Sequence, residues 1–524
     1  MTNLCCTKLK TGAEIITEFL KAQKTDKIFG YPGSTVLKLY DVLSHEKNIQ
    51  HILVRHEQAA VHMAEGYARI SGKTGVALVT SGPGITNTIT GLMNANTDGI
   101  PVVLIAGLVN KELIGSNCFQ DVDIISLTKA CSKKTFCITD INDLQKSLEE
   151  AFEIANSGKG VNKGVVVIGI AKNVFDEKIN YHEADTIKEK DDLSPDVSIV
   201  YDLIKSSKHP LVLVGGGCTE AEKEIREFIN LSKIPVVSTL MGRGCFDETN
   251  ELYIGMTGKN GHISADKMLN DCDLLIALGT RYSNKFGAIS AKIVRVNIED
   301  KSFGLDDEIY FRTDVKTFLT ELLKNKEQIT KKSIKISKEN KEEILSNQQK
   351  VLKVLYEKTK DFNPVVVTEV GEHQIDTASI FRFRSPKKFV TSGGMGTMGF
   401  GFPAAIGSCI ANKKDMTILI AGDGSFQMNI QELATCMENK IPLKIIIMKN
   451  DSLGMIKQQQ KSMYGERYYQ SDLTNPDFVK IAEAYNIKGV NVSTIKEFED
   501  AVDEMILSKE TFLISVNNFD KKDI

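Results

Sequence analysis

The 524 residues are enough for about three domains at roughly 150 residues each. Their 65 basic and 68 acidic side chains leave a formal net charge of −3, too even for a protein that grips nucleic acid or a membrane surface. Hydrophobic residues at 42 % and charged residues at 25 % are ordinary for a globular protein, yet the chain has no Trp.

Along the chain, Met1 to Lys10 lacks the apolar stretch of a secretory signal. Val76–Thr80 reads as a buried strand, Ser81-Gly-Pro-Gly84 as a turn, and a helical pattern follows. Pro101–Ile105, Gly164–Ile168, Pro210–Val214, Met416–Ala421 and Lys444–Met448 repeat the strand signal. This alternation predicts an α/β protein of three doubly wound domains with parallel sheets. Its longest apolar runs are of strand length, far below the roughly 20 residues that span a bilayer. Two charge-rich stretches, Asp176–Asp196 (with Lys188-Glu-Lys-Asp-Asp192) and Lys324–Lys350, suit domain boundaries. They divide the chain into 1–178, 190–325 and 355–524. Ten Cys occur without any C-x-x-C pair, which fits structural thiols in a reducing compartment, the cytoplasm.

The strongest chemical signal is Ile418-Leu-Ile-Ala-Gly-Asp-Gly-Ser-Phe426. A strand ends at Gly422-Asp423-Gly424, and a helical pattern begins at Asn429. Such a turn offers backbone N–H groups to an anion, and glycines let a phosphate come close. The carboxylate between them would repel a bare phosphate. It makes sense when a divalent cation bridges Asp423 to phosphate oxygens, and Mg²⁺ prefers such oxygen donors. Asn450 follows the next strand, 27 positions later, so both donors fall at the carboxyl edge of one parallel sheet. Taken alone, Gly-Asp-Gly is equally a plain turn before a helix.

Gly422-Asp-Gly followed by Asn450 resembles the thiamine-diphosphate motif of the pyruvate-oxidase and acetolactate-synthase family. Gly30-Tyr-Pro-Gly33, Arg55-His-Glu-Gln58, His62-Met-Ala-Glu-Gly-Tyr-Ala-Arg69, Thr80-Ser-Gly-Pro-Gly84 and Phe119-Gln120 resemble that family's first domain. Val370-Gly-Glu-His-Gln374, the segment from Ser392 to Gly401, Leu453-Gly-Met455 and Asn475-Pro-Asp-Phe478 resemble its last. Within that family the chain resembles the large subunit of acetolactate synthase. The resemblance implies thiamine diphosphate and Mg²⁺ as cofactors. Pyruvate would be decarboxylated and its two-carbon unit passed to a second carbonyl compound, giving 2-acetolactate when that is pyruvate. A keto-sugar acceptor, or a 2-keto acid decarboxylase or lyase, is the alternative.

By the same resemblance Glu57 is the catalytic carboxyl that hydrogen-bonds the pyrimidine ring; read alone, it is as well a surface Glu at a helix start. Gln120 and Phe119 line the substrate side, or are merely structural. Met398 holds the cofactor bent, and Gly396 and the main chain near Met398 hold the pyrimidine. Gly371, His373, Gly424, Ser425, Leu453, Gly454 and Met455 contact the diphosphate or rings. Asp423, Asn450 and the Ser452 carbonyl bind the metal. Sites shared across a homodimer or tetramer are implied, with Glu57 of one chain serving the cofactor of another. Any regulatory subunit is unknown.

Three positions and the middle domain depart from the family pattern. Glu372 stands where Gln is usual, Ser34 replaces a second Gly, and Lys449 replaces an Asn. In the middle domain, where the anabolic branch binds FAD, Arg281-Tyr-Ser-Asn-Lys285 and Gly258-Lys-Asn-Gly261 differ while Gly215-Gly-Gly217 is kept, so FAD stays open. The missing Trp has a place too: Gln459, in Lys457-Gln-Gln-Gln460, stands at the family's acceptor-side Trp. That predicts a more polar, more open acceptor pocket.

Overall fold

In the computed structural model, residues 8–156, 162–181, 186, 194–258, 261–281, 289–299, 308–330 and 345–517 are described. Cys5, Cys6, Lys188–Asp192, Lys259, Asn260 and Tyr282–Lys285 therefore lie outside the described residues. Three six-stranded sheets follow one another along the chain, each parallel throughout. The first runs Gln50–Leu53, Lys27–Gly30, Gly75–Val79, Val102–Leu108, Val165–Ala171, Lys134–Ile138. The middle one runs Tyr253–Met256, Val236–Ser238, Pro210–Val214, Leu274–Leu278, Lys292–Asn297, Ile309–Arg312. The last runs Phe389–Val390, Val365–Thr368, Thr417–Gly422, Lys444–Lys449, Phe512–Asn517, Lys488–Val492. Lys8–Thr11 and Lys178–Tyr181 add a small antiparallel pair.

The central strands are apolar runs because helices cover both faces. All seven residues of Val102–Leu108 and of Val165–Ala171 are buried. Helix starts follow the sequence in several places: Thr11 with Glu14, Ser346 with Gln349 and Thr494 with Glu497 form capping boxes. The charge-rich stretch ending at Lys350 thus turns helical at Asn347–Thr359, which buries Val351, Leu352 and Leu355. The helical pattern expected from Asn429 begins earlier, with a short helix at Asp423–Gln427.

The first and last sheets share one apolar core. Its centre is the crossing of helix Glu57–Ser71 with helix Gly401–Ala411. A Cβ at Gly66 would lie 2.1 Å from the Ala404 carbonyl oxygen, and one at Gly407 would lie 2.0 Å from that of Met63. Only glycine allows this backbone contact. The eight cysteines among the described residues are all free.

Gly215 and Gly217 have a packing role. A Cβ on either would strike Gly279, at 2.4 Å from its oxygen or 2.8 Å from its Cα. The turn after one strand is seated against the turn after its neighbour. Among the described residues, no helix is long and apolar enough to cross a membrane.

Candidate active site

Three neighbouring strands of the last sheet, Val365–Thr368, Thr417–Gly422 and Lys444–Lys449, end side by side. Their carboxyl ends deliver Glu369–Gln374, Asp423–Ser425 and Asn450–Met455, where open parallel sheets bind ligands. Asp423 is buried at the centre. Its Oδ1 accepts the Gly424 N–H at 2.8 Å. Its Oδ2 accepts the N–H groups of Asn450 and Asp451 at 3.1 and 2.6 Å and the Asn475 amide at 2.8 Å. Burial raises Asp423 above the usual carboxylate range, and these N–H donors oppose it. The Asn450 Oδ1 accepts the Ser452 N–H at 3.1 Å. Carboxylate, amide oxygen and carbonyl are the oxygen-only donors of a hard cation. No three His, Cys, Asp or Glu side chains converge as a metal site among the described residues.

His373 is buried with its Nε2 unpartnered, and burial pushes it down to about 4, so its imidazole is neutral. Its ring borders Gly371 and Gly422; a Cβ on Gly422 would lie 3.0 Å from its Cε1. An orphaned buried ring nitrogen beside a glycine turn fits a diphosphate acceptor for its hydrogen. The Ser425 Oγ closes the same turn, donating to the Gly422 carbonyl at 3.2 Å. Gly396 has φ +65°, and a Cβ there would meet only Val370, at 3.9 Å, so open space lies beside it. Met398, Leu453 and Leu473 gather over Gly424, at 3.8, 3.2 and 3.0 Å from where its Cβ would be. The residues present fit thiamine diphosphate with Mg²⁺.

Glu372 points into this group rather than away. A Cβ on Gly454 would be 2.5 Å from its Oε2 and 3.1 Å from the Asn450 amide nitrogen. Burial and the nearby Asp376 push Glu372 up. A carboxylate here opposes an anionic ligand. At an effective dielectric near 20, a charge about 5 Å away is worth up to ~3 kcal/mol before screening. Glu372→Gln is therefore expected to tighten thiamine-diphosphate binding about tenfold in titration calorimetry; an unchanged or weaker affinity would remove Glu372 from the diphosphate's surroundings.

Glu57 opens helix Glu57–Ser71, and its Oε2 accepts the Asn87 amide at 2.9 Å. Val54, Ala59, Ala60 and Val61 around it are buried. Gln120, at φ +62°, packs on Gly82 and accepts the Ser81 hydroxyl at 3.3 Å. Phe119 is 86 % exposed. Both polar residues thus rest on the 81–87 segment at the carboxyl edge of the first sheet. Among the described residues, no hydrogen bond joins Glu57 or Gln120 to the Asp423 group. The two groups belong to the carboxyl edges of two different sheets.

Other residues beside the site were given no role from the sequence. Asn475 donates to Asp423 and, at 2.7 Å, to Asp451, and accepts from Gln427 at 2.6 Å. Its motif was visible, but its reach to Asp423 was not. Lys449 pairs with Asp451 at 2.7 Å, so that departure from the family brings its own counter-charge. Glu432 is fully buried. It accepts the Arg55 N–H at 2.9 Å and the Thr435 hydroxyl at 2.6 Å, fixing the approach to Glu57.

Burial pushes Glu432 up to about 7 from its ordinary 4.5. The fold keeps a proton that the unfolded chain loses. The stability this gives is full below about pH 4.5 and is lost as the pH rises through about 7. Glu432→Gln stays neutral, so its unfolding temperature is expected to fall less than the parent's across that window. Parallel curves would rule this out.

Family models agree with this layout. The N-terminal TPP binding domain of thiamine pyrophosphate enzymes matches residues 10–127, the central domain 197–322 and the C-terminal TPP binding domain 369–516. The acetolactate synthase large subunit of Cyanidium caldarium is 36 % identical, over 97 % of this chain and 93 % of its own. That of Haemophilus influenzae is 35 % identical, over 98 % and 96 %. The Escherichia coli acetolactate synthase isozyme 2 large subunit is 35 % identical, over 97 % and 95 %. With all three domains in order and identity sustained end to end, the chain belongs to the thiamine pyrophosphate enzyme family, among the relatives of the acetolactate synthase large subunits.

Proposed function

We propose that this chain is a thiamine-diphosphate- and Mg²⁺-dependent carboligase of the acetolactate synthase type, acting on pyruvate. The observation that carries the reading is the placement of Asp423 and Asn450 at adjacent strand ends, beside the orphaned His373 nitrogen. Bound thiamine diphosphate supplies the nucleophilic carbon and the electron sink for decarboxylation. Asp423, Asn450 and the Ser452 carbonyl hold the cation, and His373 and the Gly371 and Gly422 turns receive the diphosphate. Gly396 and Met398 seat and bend the cofactor, with Leu453, Gly454 and Met455 beside it. The Glu57 carboxyl, steadied by Asn87, holds and shares a proton with the pyrimidine ring. Gln120 faces the substrate.

Glu57 and Asp423 lie at the edges of different sheets with no hydrogen bond between them among the described residues, which supports a homodimer or higher assembly in which Glu57 of one chain completes the other's site. The curated relatives are named large subunits, which supports a smaller partner for this chain as well. Eight free thiols support a reducing compartment. The proposed domains are 1–178, 190–325 and 355–524. Carboligation itself needs no flavin, and the reading leaves FAD out; the visible absorbance of the purified protein tests that directly.

Mass spectrometry of products formed from pyruvate with thiamine diphosphate and Mg²⁺ tests the activity, and 2-acetolactate is expected. Gln459 favours a second acceptor: it is exposed, on a helix, Gly454–Tyr464, without buried residues. A polar, open acceptor side suits a keto-sugar or aldehyde. If such an acceptor gives product and pyruvate alone does not, the cofactor reading stands and the acetolactate product fails.

A further inference from the structure

A chain of buried polar groups in the first domain lies outside the machinery described so far. Glu65 is fully buried on helix Glu57–Ser71. Its carboxylate accepts from Arg69 at 2.6 and 3.2 Å and from the Asn94 amide at 2.9 and 3.1 Å. Arg69 also donates to Asp98 at 2.6 Å and lies 5.7 Å from the centre of the Phe400 ring.

From there the chain of bonds crosses to the last domain. The Asn94 Oδ1 accepts the Ser392 hydroxyl at 2.6 Å and the Thr397 hydroxyl at 2.8 Å. Asp98 accepts the backbone N–H of Gly394 at 2.8 Å and of Gly393 at 3.3 Å. The Ser392 Oγ accepts the Thr397 N–H at 2.9 Å, closing the loop on itself. From its own domain the segment receives a longer bond, Gln374 to the Ser392 carbonyl at 3.4 Å.

Residues 392–397 form neither strand nor helix, and three of the six are glycine. Such a backbone cannot hold a shape by packing its own side chains, and its N–H groups need outside acceptors. Asn94 ties both ends together through the Ser392 and Thr397 hydroxyls, and Asp98 accepts two of the N–H groups near one end. Asp98 does so as a carboxylate, whose hydrogen bonds are the stronger kind. Gly396 lies inside the gripped segment, and Met398 follows it.

We propose that Asn94 and Asp98 of the first domain are positioning residues that shape the ring-binding segment Ser392–Met398 of the same chain. The diphosphate end of the cofactor is then held by the last domain alone, while the seat of the ring is set by the first. This rests on the reading of Gly396 and Met398 as the ring seat.

Titration calorimetry on the apoprotein with Mg²⁺ separates the two ends. Thiamine diphosphate probes both, and inorganic diphosphate probes the Asp423–Asn450 end only. Asp98→Asn is expected to weaken thiamine diphosphate about tenfold, the loss of roughly one charge-assisted hydrogen bond. Thr397→Val, a milder change should Asp98→Asn fold poorly, is expected to weaken it about threefold. Inorganic diphosphate should stay within about twofold for both. If the two ligands weaken together, or neither weakens, the positioning role is overturned. If the parent protein binds both ligands equally, the reading of Gly396 and Met398 fails first, and this inference falls with it.

Discussion

Asp423→Ala is expected to abolish Mg²⁺-dependent binding of thiamine diphosphate and, with it, all carboligation. The Asp423 carboxylate does two things at once. It accepts four N–H groups from Gly424, Asn450, Asp451 and Asn475, so it shapes the turn that presents the other donors. On the proposed reading it would also supply negative charge to a divalent cation. Alanine removes both and leaves buried donors unmet. Groups that merely orient a metal ligand cost roughly 10–100-fold in affinity when lost, so a ligand itself should cost more than about 100-fold. Asp423→Asn keeps an acceptor oxygen and should fold better while binding nearly as poorly. A Mg²⁺ titration of cofactor binding reads this directly. Parent-like affinity in either variant would remove the cation from this turn.

Glu57→Gln carries the second large effect, of a different kind. The amide keeps an oxygen for the Asn87 bond, so the helix start should hold. It cannot share a proton with the ring. Positioned acid–base groups contribute about 10²–10⁴ in rate, so kcat should fall by that much while cofactor affinity stays within about tenfold. The proposed sharing of sites between chains sharpens the test. Glu57→Gln and Asp423→Ala chains should each have little activity alone. Mixed dimers should regain activity, because one of their two sites has Glu57 from one chain and Asp423 from the other. Random pairing gives about a quarter of parent activity. No recovery from demonstrated mixed dimers would place each site within one chain.

How far the sequence reached depended on the distance over which each residue acts. Asp423 and Asn450 were legible because one strand, one helix and the next strand fix their spacing, and parallel pairing then brings both to one edge. The strands were legible as apolar runs, correct in kind, though Pro101–Ile105 and Gly164–Ile168 stop three residues short of the observed ends at Leu108 and Ala171. Glu372 was visible as an oddity, but only the fold showed that it faces Gly454 and Asn450 instead of turning away. Lys449 looked like a loss until Asp451 appeared beside it.

Other contacts could not be read at all. Glu432 holds Arg55 from 377 positions away, and Ser392 meets Asn94 across 298. Nothing local in either segment announces its partner. The need for glycine at Gly66 and Gly407 comes only from the two helices crossing backbone to backbone. The sequence by itself determined the family, the cofactor chemistry and the parallel architecture, because these rest on residue type and short-range spacing. The tertiary structure decided which carboxylates are buried and which loops hold one another. Those outcomes depend on how separately folded sheets dock, and docking is set by surfaces assembled from distant parts of the chain.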